Sequence, residues 1–145
     1  MAGMVRRMQK IVLAATAGAH QPWVADAAAQ LARETGAAVA VVSVDDLETE
    51  MLAPMPRSEY REQAAAAAGA AAERVRTAGV QVTQEVRSGL ALEQILAYAD
   101  EQQADLIVVG SSTRSRLASR LLGTVPLSLV QSSKRPVLVV TEPTG

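Results

Sequence analysis

The chain has 145 residues, of which 49% are hydrophobic and 20% are charged. These proportions exclude an intrinsically disordered chain, and the length suits one folded domain over residues 1–145. The 14 basic and 15 acidic residues nearly cancel, aromatic residues make up 2% of the chain, and cysteine is absent. Nucleic acid is therefore not an expected partner, and disulfides and thiol chemistry are excluded.

Neither an export signal nor a membrane span is predicted. The apolar stretch Ile11–Ala15 is too short for a signal-peptide core. No apolar run approaches the roughly 20 residues needed to cross a bilayer. Because the absence of cysteine also suits a reducing compartment, we expect a cytoplasmic protein with no membrane partner.

The first half of the chain alternates between strand and helix patterns. An apolar run predicts a strand over Lys10–Thr16. A helix is predicted over Pro22–Thr35, with proline in its first turn and Gly36 suited to a left-handed cap. A second apolar strand follows at Ala37–Val44, and Asp45–Arg57, which contains two prolines, is predicted to be an irregular flap.

The alternation continues through the second half. An alanine-rich helix is predicted over Glu59–Ala78, with a thin face that packs close to a sheet. Val80–Arg87 alternates polar and apolar residues, which is typical of an edge strand. The remaining predicted elements are the amphipathic helix Ala91–Gln102, the strand Asp105–Gly110, the helix Val125–Ser133 and the strand Pro136–Thr141. This order predicts an α/β fold in which helices cover both faces of an open, doubly wound parallel sheet.

The loop after the fourth predicted strand is the main candidate binding segment. In an open parallel sheet, ligands bind beyond the carboxyl ends of the strands, where the strand order reverses. Gly110 would allow a sharp turn out of the strand, and Gly123 with Thr124 would place N–H groups at a helix N-terminus. The hydroxyl donors and cations in this loop are Ser111, Ser112, Thr113, Ser115, Arg114, Arg116 and Arg120. A solvated surface loop is the alternative interpretation.

This strand and loop resemble those of the universal stress proteins. The family's nucleotide motif is a glycine, two residues, a second glycine, nine residues, and then Gly-Ser or Gly-Thr. Its positions here are Gly110, Thr113, Gly123 and Thr124. Further similar segments are Arg87–Gly89, Ala104–Asp105 and Arg135–Val140.

The resemblance implies a five-stranded sheet of order 3-2-1-4-5, of the Rossmann-like kind found in the adenine nucleotide alpha-hydrolases. It also implies a regulatory stress-response module that binds an adenine nucleotide (ATP, ADP, AMP or cyclic AMP), with Mg²⁺ accompanying the nucleotide, and an unknown protein partner. A homodimer through the last strand, Pro136–Thr141, is expected. The nucleotide-binding residues carried over are Thr16, Val44, Gly110, Ser112, Thr113, Arg114, Arg120, Gly123, Thr124 and Val125.

Two departures from the family pattern favour an alternative function. Members that bind ATP carry an aspartate at the end of the first strand, in a Val-Asp-Gly-Ser pattern, and Thr16 stands in its place. Thr113 replaces the middle glycine of the motif. The alternative is a homodimeric member that holds no nucleotide and acts through protein contacts.

An enzyme is not expected from these residues. No catalytic triad, no pair of carboxylates in a cleft and no Walker lysine can be assembled, so a slow ATPase is the weakest hypothesis. One histidine, His20, cannot build a metal site without cysteine, and we expect it to face solvent or cap a helix rather than contact a nucleotide. Asp45 and Asp46 could hold a ribose hydroxyl or Mg²⁺, or could simply cap or solubilise a loop.

Overall fold

The structure of the protein is a computed structural model that describes residues 7–46, 55–111 and 124–143. Strands and helices alternate along these ranges, as the sequence predicts. The elements are β1 (Lys10–Ala14), α1 (Pro22–Thr35), β2 (Ala38–Asp46), α2 (Arg57–Thr77), β3 (Val82–Gly89), α3 (Ala91–Gln102), β4 (Leu106–Gly110), α4 (Thr124–Ser132) and β5 (Val137–Val140). The predicted ends differ from these by at most two residues.

All strand pairs are parallel, and the strands lie in the order β3-β2-β1-β4-β5. This confirms the predicted 3-2-1-4-5 sheet. β1 is central, with Val12 aligned to Ala40 of β2 on one side and to Ile107 of β4 on the other. The strand order therefore reverses between β1 and β4, and a crevice for a ligand is expected at their carboxyl ends.

The sheet is covered on both faces, which explains the continuously apolar inner strands. On one face, α1 and α2 pack on Ile11 and Leu13 of β1, and we call this the α1–α2 layer. On the other face, α3 and α4 pack on Val12 and Ala14, which form part of the α3–α4 layer. All four of these side chains are at most 5% exposed. Within the described ranges, no helix is both long enough and apolar enough to cross a membrane.

Helix α2 lies close to the sheet because its buried stripe is made of alanine. Ala64, Ala68 and Ala72 recur every four residues, and none of them is exposed to solvent. Each methyl group removes little surface from water, but its small size lets the helix approach the strands. The predicted thin face is confirmed.

Among the described residues, both outer strands keep one side free of strand partners. There β3 pairs with β2 alone, and it carries the exposed run from Thr83 to Glu85, so the predicted edge strand is confirmed. β5 forms the opposite edge and exposes 36% of Leu138. An edge of this kind presents unpaired backbone N–H and C=O groups.

Two glycine substitutions test the helix assignments in opposite directions. Gly69 lies within α2, and an added Cβ would be 3.8 Å from the Gln84 Nε2 atom, an ordinary contact. We expect Gly69→Ala to raise the free energy of unfolding by about 1 kcal/mol, because alanine has the higher helix propensity. Gly36 caps α1 with φ of 81°, a conformation that alanine adopts only at a cost. Gly36→Ala should therefore lower the free energy of unfolding by about 1 kcal/mol. Urea unfolding of the two variants measures both changes, and changes of the same sign would contradict these assignments.

Candidate functional site

The loop between β1 and α1 crosses the carboxyl edge of the sheet. Its first residue, Ala15, still donates its N–H to the Val42 carbonyl of β2 at 2.8 Å. Thr16 accepts a main-chain hydrogen bond from Ala19 at 3.2 Å, and Gly18 turns the chain with φ of 78°. Thr16, a predicted nucleotide-contacting residue, therefore stands at the edge and is exposed to solvent.

Gly110 ends β4 beside this loop. A Cβ at Gly110 would lie 2.7 Å from the Val24 Cγ2 atom and 2.8 Å from the Gln21 Oε1 atom. The predicted reason for this glycine, a sharp turn, is wrong, because Gly110 is still paired within the sheet opposite Val140. Glycine is needed here because α1 approaches the strand closely.

Gln21 joins the two loops that meet at the switch point. Its Nε2 atom donates to the Ser111 carbonyl at 3.0 Å, across 90 residues of sequence. On the other side of Ser111, the N–H group donates to the Val140 carbonyl of β5 at 3.0 Å. Sequence reasoning missed Gln21, since a contact over this separation leaves no local pattern.

Ser111 is the first residue after β4 and presents a buried hydroxyl. The residue is 3% exposed, and its Oγ atom has no hydrogen-bond partner in the part of the chain that the structure describes. Leaving a buried hydroxyl unpaired costs about 1–3 kcal/mol. A polar group that arrived at the switch point would remove that cost.

Most of the predicted binding loop lies beyond the described residues. The positions concerned are Ser112, Thr113, Arg114, Ser115, Arg116, Arg120 and Gly123. The description resumes at Thr124, where α4 begins. Val125 is partly buried and packs against the α3–α4 layer.

The end of β2 departs from the sequence prediction. Asp45 and Asp46 are the last residues of this strand rather than the start of a loop, and the centre of the predicted flap, 47–54, lies outside the described residues. The Asp45 side chain is fully buried, and its Oδ2 atom accepts from Ser88 Oγ at 3.3 Å and lies 3.7 Å from an Arg57 nitrogen. Val44 is 7% exposed and belongs to the α3–α4 layer, so little of it could reach a ligand.

A cleft opens next to Thr16, between α1 and α2. Its lining is rich in alanine and includes Ala67, Ala70 and Ala71 of α2. The polar residues that line it are Thr16, His20, Gln21 and Arg74. Arg74 is already engaged, since its Nε and Nη2 atoms donate to the Asp26 carboxylate at 2.8 and 2.9 Å, and this hydrogen bonding lowers the pKa of Asp26.

His20 is exposed, as predicted for a solvent-facing residue. Across residues 7–46, 55–111 and 124–143, no group of three or more histidine, aspartate or glutamate side chains converges to hold a metal ion. The described polar groups at the switch point are the hydroxyls of Thr16 and Ser111 and the carboxamide of Gln21.

The sequence profile of the Universal stress protein family matches residues 8–141. The chain belongs to this family. The resemblance drawn from the motif around Gly110 is thereby confirmed.

Curated relatives match part of this universal stress protein. The universal stress protein Rv1636 of Mycobacterium tuberculosis is 39% identical over 71 residues, which make up 48% of this chain and 49% of that protein. The universal stress protein MJ0531 of Methanocaldococcus jannaschii is 35% identical over 65 residues, or 45% of this chain and 38% of that one. The aligned segment thus spans about half or less of the length of these relatives.

Solved structures share the fold over nearly the whole chain. A universal stress protein crystallised in complex with cAMP is 25% identical, with a TM-score of 0.71, covering 95% of this chain and all of that one. The structure of MJ0577 has a TM-score of 0.74 at 19% identity and covers 97% of this chain and 100% of that one, which shows the fold alone.

The close approach at Gly110 yields a stability prediction for this universal stress protein. Gly110→Ala would force a methyl group against Val24, which is 4% exposed and fixed in the α1–α2 layer. We expect the free energy of unfolding to fall by about 1–3 kcal/mol, the usual cost of overpacking. Chemical denaturation measures the change, with Gly69→Ala as the matched control. A Gly110→Ala variant as stable as the wild type would show that α1 lies farther from β4.

Proposed function

We propose that this universal stress protein is a regulatory module that binds an adenine nucleotide across the carboxyl ends of β1 and β4. The observation that carries the proposal is the buried Ser111 hydroxyl at the switch point, which has no partner among the described residues and lies near the exposed Thr16. A structural neighbour at 25% identity holds cAMP, and another universal stress protein, from Archaeoglobus fulgidus, was crystallised with dAMP. Both neighbours support an adenine nucleotide as the ligand class.

The chemistry of the described residues fits the neutral part of a nucleotide. Hydroxyl groups at Thr16 and Ser111 can each donate and accept a hydrogen bond, which suits a ribose or a base edge. The N-terminus of α4 at Thr124 has N–H groups without helical partners, which suit a phosphate. In the sequence, Arg114, Arg120 and Ser112 would add cationic and hydroxyl donors to that phosphate.

Binding rather than catalysis is the proposed activity. Mg²⁺ would enter with the phosphates, since this ion usually keeps several waters and only one or two protein ligands. Thr16 offers a neutral hydrogen bond where ATP-binding members have a carboxylate, and neutral hydrogen bonds are roughly half as strong. Occupancy would change the surface that a protein partner meets.

Nucleotide titrations test this proposal. Isothermal calorimetry with ATP, ADP, AMP and cyclic AMP should detect binding of at least one of them to the wild type. Gly123→Val should abolish that binding, because its branched side chain would occupy the phosphate position, whereas Gly69→Ala should bind as the wild type does. Absence of heat for all four nucleotides would refute the nucleotide-binding proposal.

A double variant that restores the family residues at positions 16 and 113 tests whether the two departures weaken ATP binding. Thr16→Asp combined with Thr113→Gly should strengthen ATP binding about tenfold, by supplying a charged acceptor and removing a side chain near the phosphates. Unchanged ATP affinity would show that these positions do not set it.

We also propose a homodimer through β5, which the alternative function requires as well. Within the described ranges β5 has one edge without a strand partner. Exposed apolar side chains lie on β5 and on the neighbouring helix: Leu138 is 36% exposed, and Leu127 and Val130 of α4 are 39% and 51% exposed. A second copy would cover these groups and satisfy backbone groups of the edge.

Lysine substitutions at this edge test the dimer. Leu138→Lys with Val130→Lys should shift the wild-type dimer to a monomer in analytical ultracentrifugation, because two charges would be buried in an apolar interface. Leu90→Lys is the control, since Leu90 is also 36% exposed but precedes α3. A monomeric wild type, or equal dissociation by the Leu90 variant, would argue against an interface at β5.

A further inference from the structure

We propose that Gln21 is a positioning residue for the nucleotide site, which fixes the main chain at Ser111 and so holds the Ser111 hydroxyl at the switch point. This proposal rests on the nucleotide site proposed above. Its basis is the hydrogen bond from the Gln21 Nε2 atom to the Ser111 carbonyl, 3.0 Å long and partly buried.

The main chain of Ser111 is held from two sides. Gln21 holds its carbonyl, while the Val140 carbonyl of β5 accepts its N–H at 3.0 Å. The backbone N–H and C=O of Ser111 therefore both have partners. Its hydroxyl has none among the described residues. The peptide is fixed in place while the side chain is left for another group.

Gln21 is itself attached to a rigid element. Its carbonyl accepts the Val24 N–H at 3.0 Å in the first turn of α1, and the Pro22 ring that follows disfavours a helical backbone at Gln21, which has φ −133° and ψ 65°. α1 is anchored in turn by five buried residues, among them Val24 and Ala28. The position of the carboxamide therefore follows the position of the helix.

The lack of a side chain at Gly110 allows this arrangement. A Cβ at Gly110 would approach the Gln21 Oε1 atom to 2.8 Å, so the carboxamide lies directly over the last residue of β4. Gln21 spans the gap between the β1–α1 loop and β4, across which the strand order reverses. A glutamate of the same shape could not donate to the Ser111 carbonyl when ionised.

A fixed peptide at Ser111 raises affinity because its hydroxyl is already in place before the nucleotide binds. Loss of one neutral hydrogen bond corresponds to roughly a five- to tenfold loss of affinity, so removal of the carboxamide should weaken binding without abolishing it. This distinguishes a positioning residue from a direct phosphate ligand.

The experiment compares three variants of the full chain by calorimetry with cyclic AMP and with ATP. Gln21→Met keeps the length of the side chain but removes the donor, and Gln21→Glu places a carboxylate against the carbonyl. Gln30→Met is the matched control, because Gln30 is exposed on the same helix and donates to the Glu34 carboxylate at 3.1 Å, away from the site. We expect about five- to tenfold weaker binding for Gln21→Met, a larger loss for Gln21→Glu and no change for Gln30→Met.

Hydrogen exchange separates positioning from general stability. At saturating cyclic AMP, the Ser111 amide, which donates to the Val140 carbonyl, should be protected less in Gln21→Met than in the wild type, with equal protection in α2 and α3. A purely structural role would instead lower the unfolding temperature and leave both affinity and local protection as in the wild type.

The outcomes keep the two proposals distinct. A wild type that binds nucleotide, together with Gln21 variants of equal affinity and equal protection of the Ser111 amide, would overturn the role of Gln21 and leave the nucleotide site standing. Equal losses in the Gln21 and Gln30 variants would also overturn it. A wild type that binds neither cyclic AMP nor ATP, nor ADP or AMP, would remove both proposals together.

Discussion

The rest of the structure depends on the central position of β1. This strand pairs in parallel with both β2 and β4, and apolar side chains of the helices cover both faces of the sheet. Ile11 and Val12 are fully buried on opposite faces, so a shift of register by one residue would exchange the two packed layers. With β1 fixed between β2 and β4, the carboxyl ends of these strands must lie side by side. The crevice for a ligand follows from this pairing before any binding residue is considered.

Unpaired buried polar atoms concentrate near that same edge. Among the described residues they are Trp23 Nε1, Ser43 Oγ, Asp45 Oδ1 and Ser111 Oγ. All four belong to the last residues of β2, the first turn of α1, or the residue after β4. Buried polar groups in proteins are normally satisfied, so in the described ranges the carboxyl edge carries a local cost that the amino-terminal edge of the sheet does not. A site prepared for polar ligands would have this character.

The helices and strands could be predicted from short stretches of sequence. The spacing of apolar residues and the positions of glycine determine each element within a few residues. The apolar run over Lys10–Thr16 is typical of a buried strand. The segment Pro22–Thr35 is typical of a helix, since it begins with proline and is followed by the capping Gly36. The strand order and the motif around Gly110 come from resemblance to a family, and the sheet confirms the order.

The parts of the site that depend on distant contacts could not be predicted. Local propensity places Asp45 in a loop, yet a hydrogen bond from Ser88 and a nearby Arg57 hold it inside β2. Tertiary packing likewise decides the role of Gly110, which admits α1 rather than turning the chain.

Ser111 also links the two proposed surfaces of the protein. Its carbonyl is bound by Gln21 beside the crevice, and its N–H is bound by Val140 in the edge strand where a second copy would pair. A nucleotide that displaced this peptide would therefore disturb β5 directly, without a longer chain of contacts. Linkage then demands reciprocity: if occupancy changes the dimerisation constant by some factor, dimerisation changes the nucleotide affinity by that same factor.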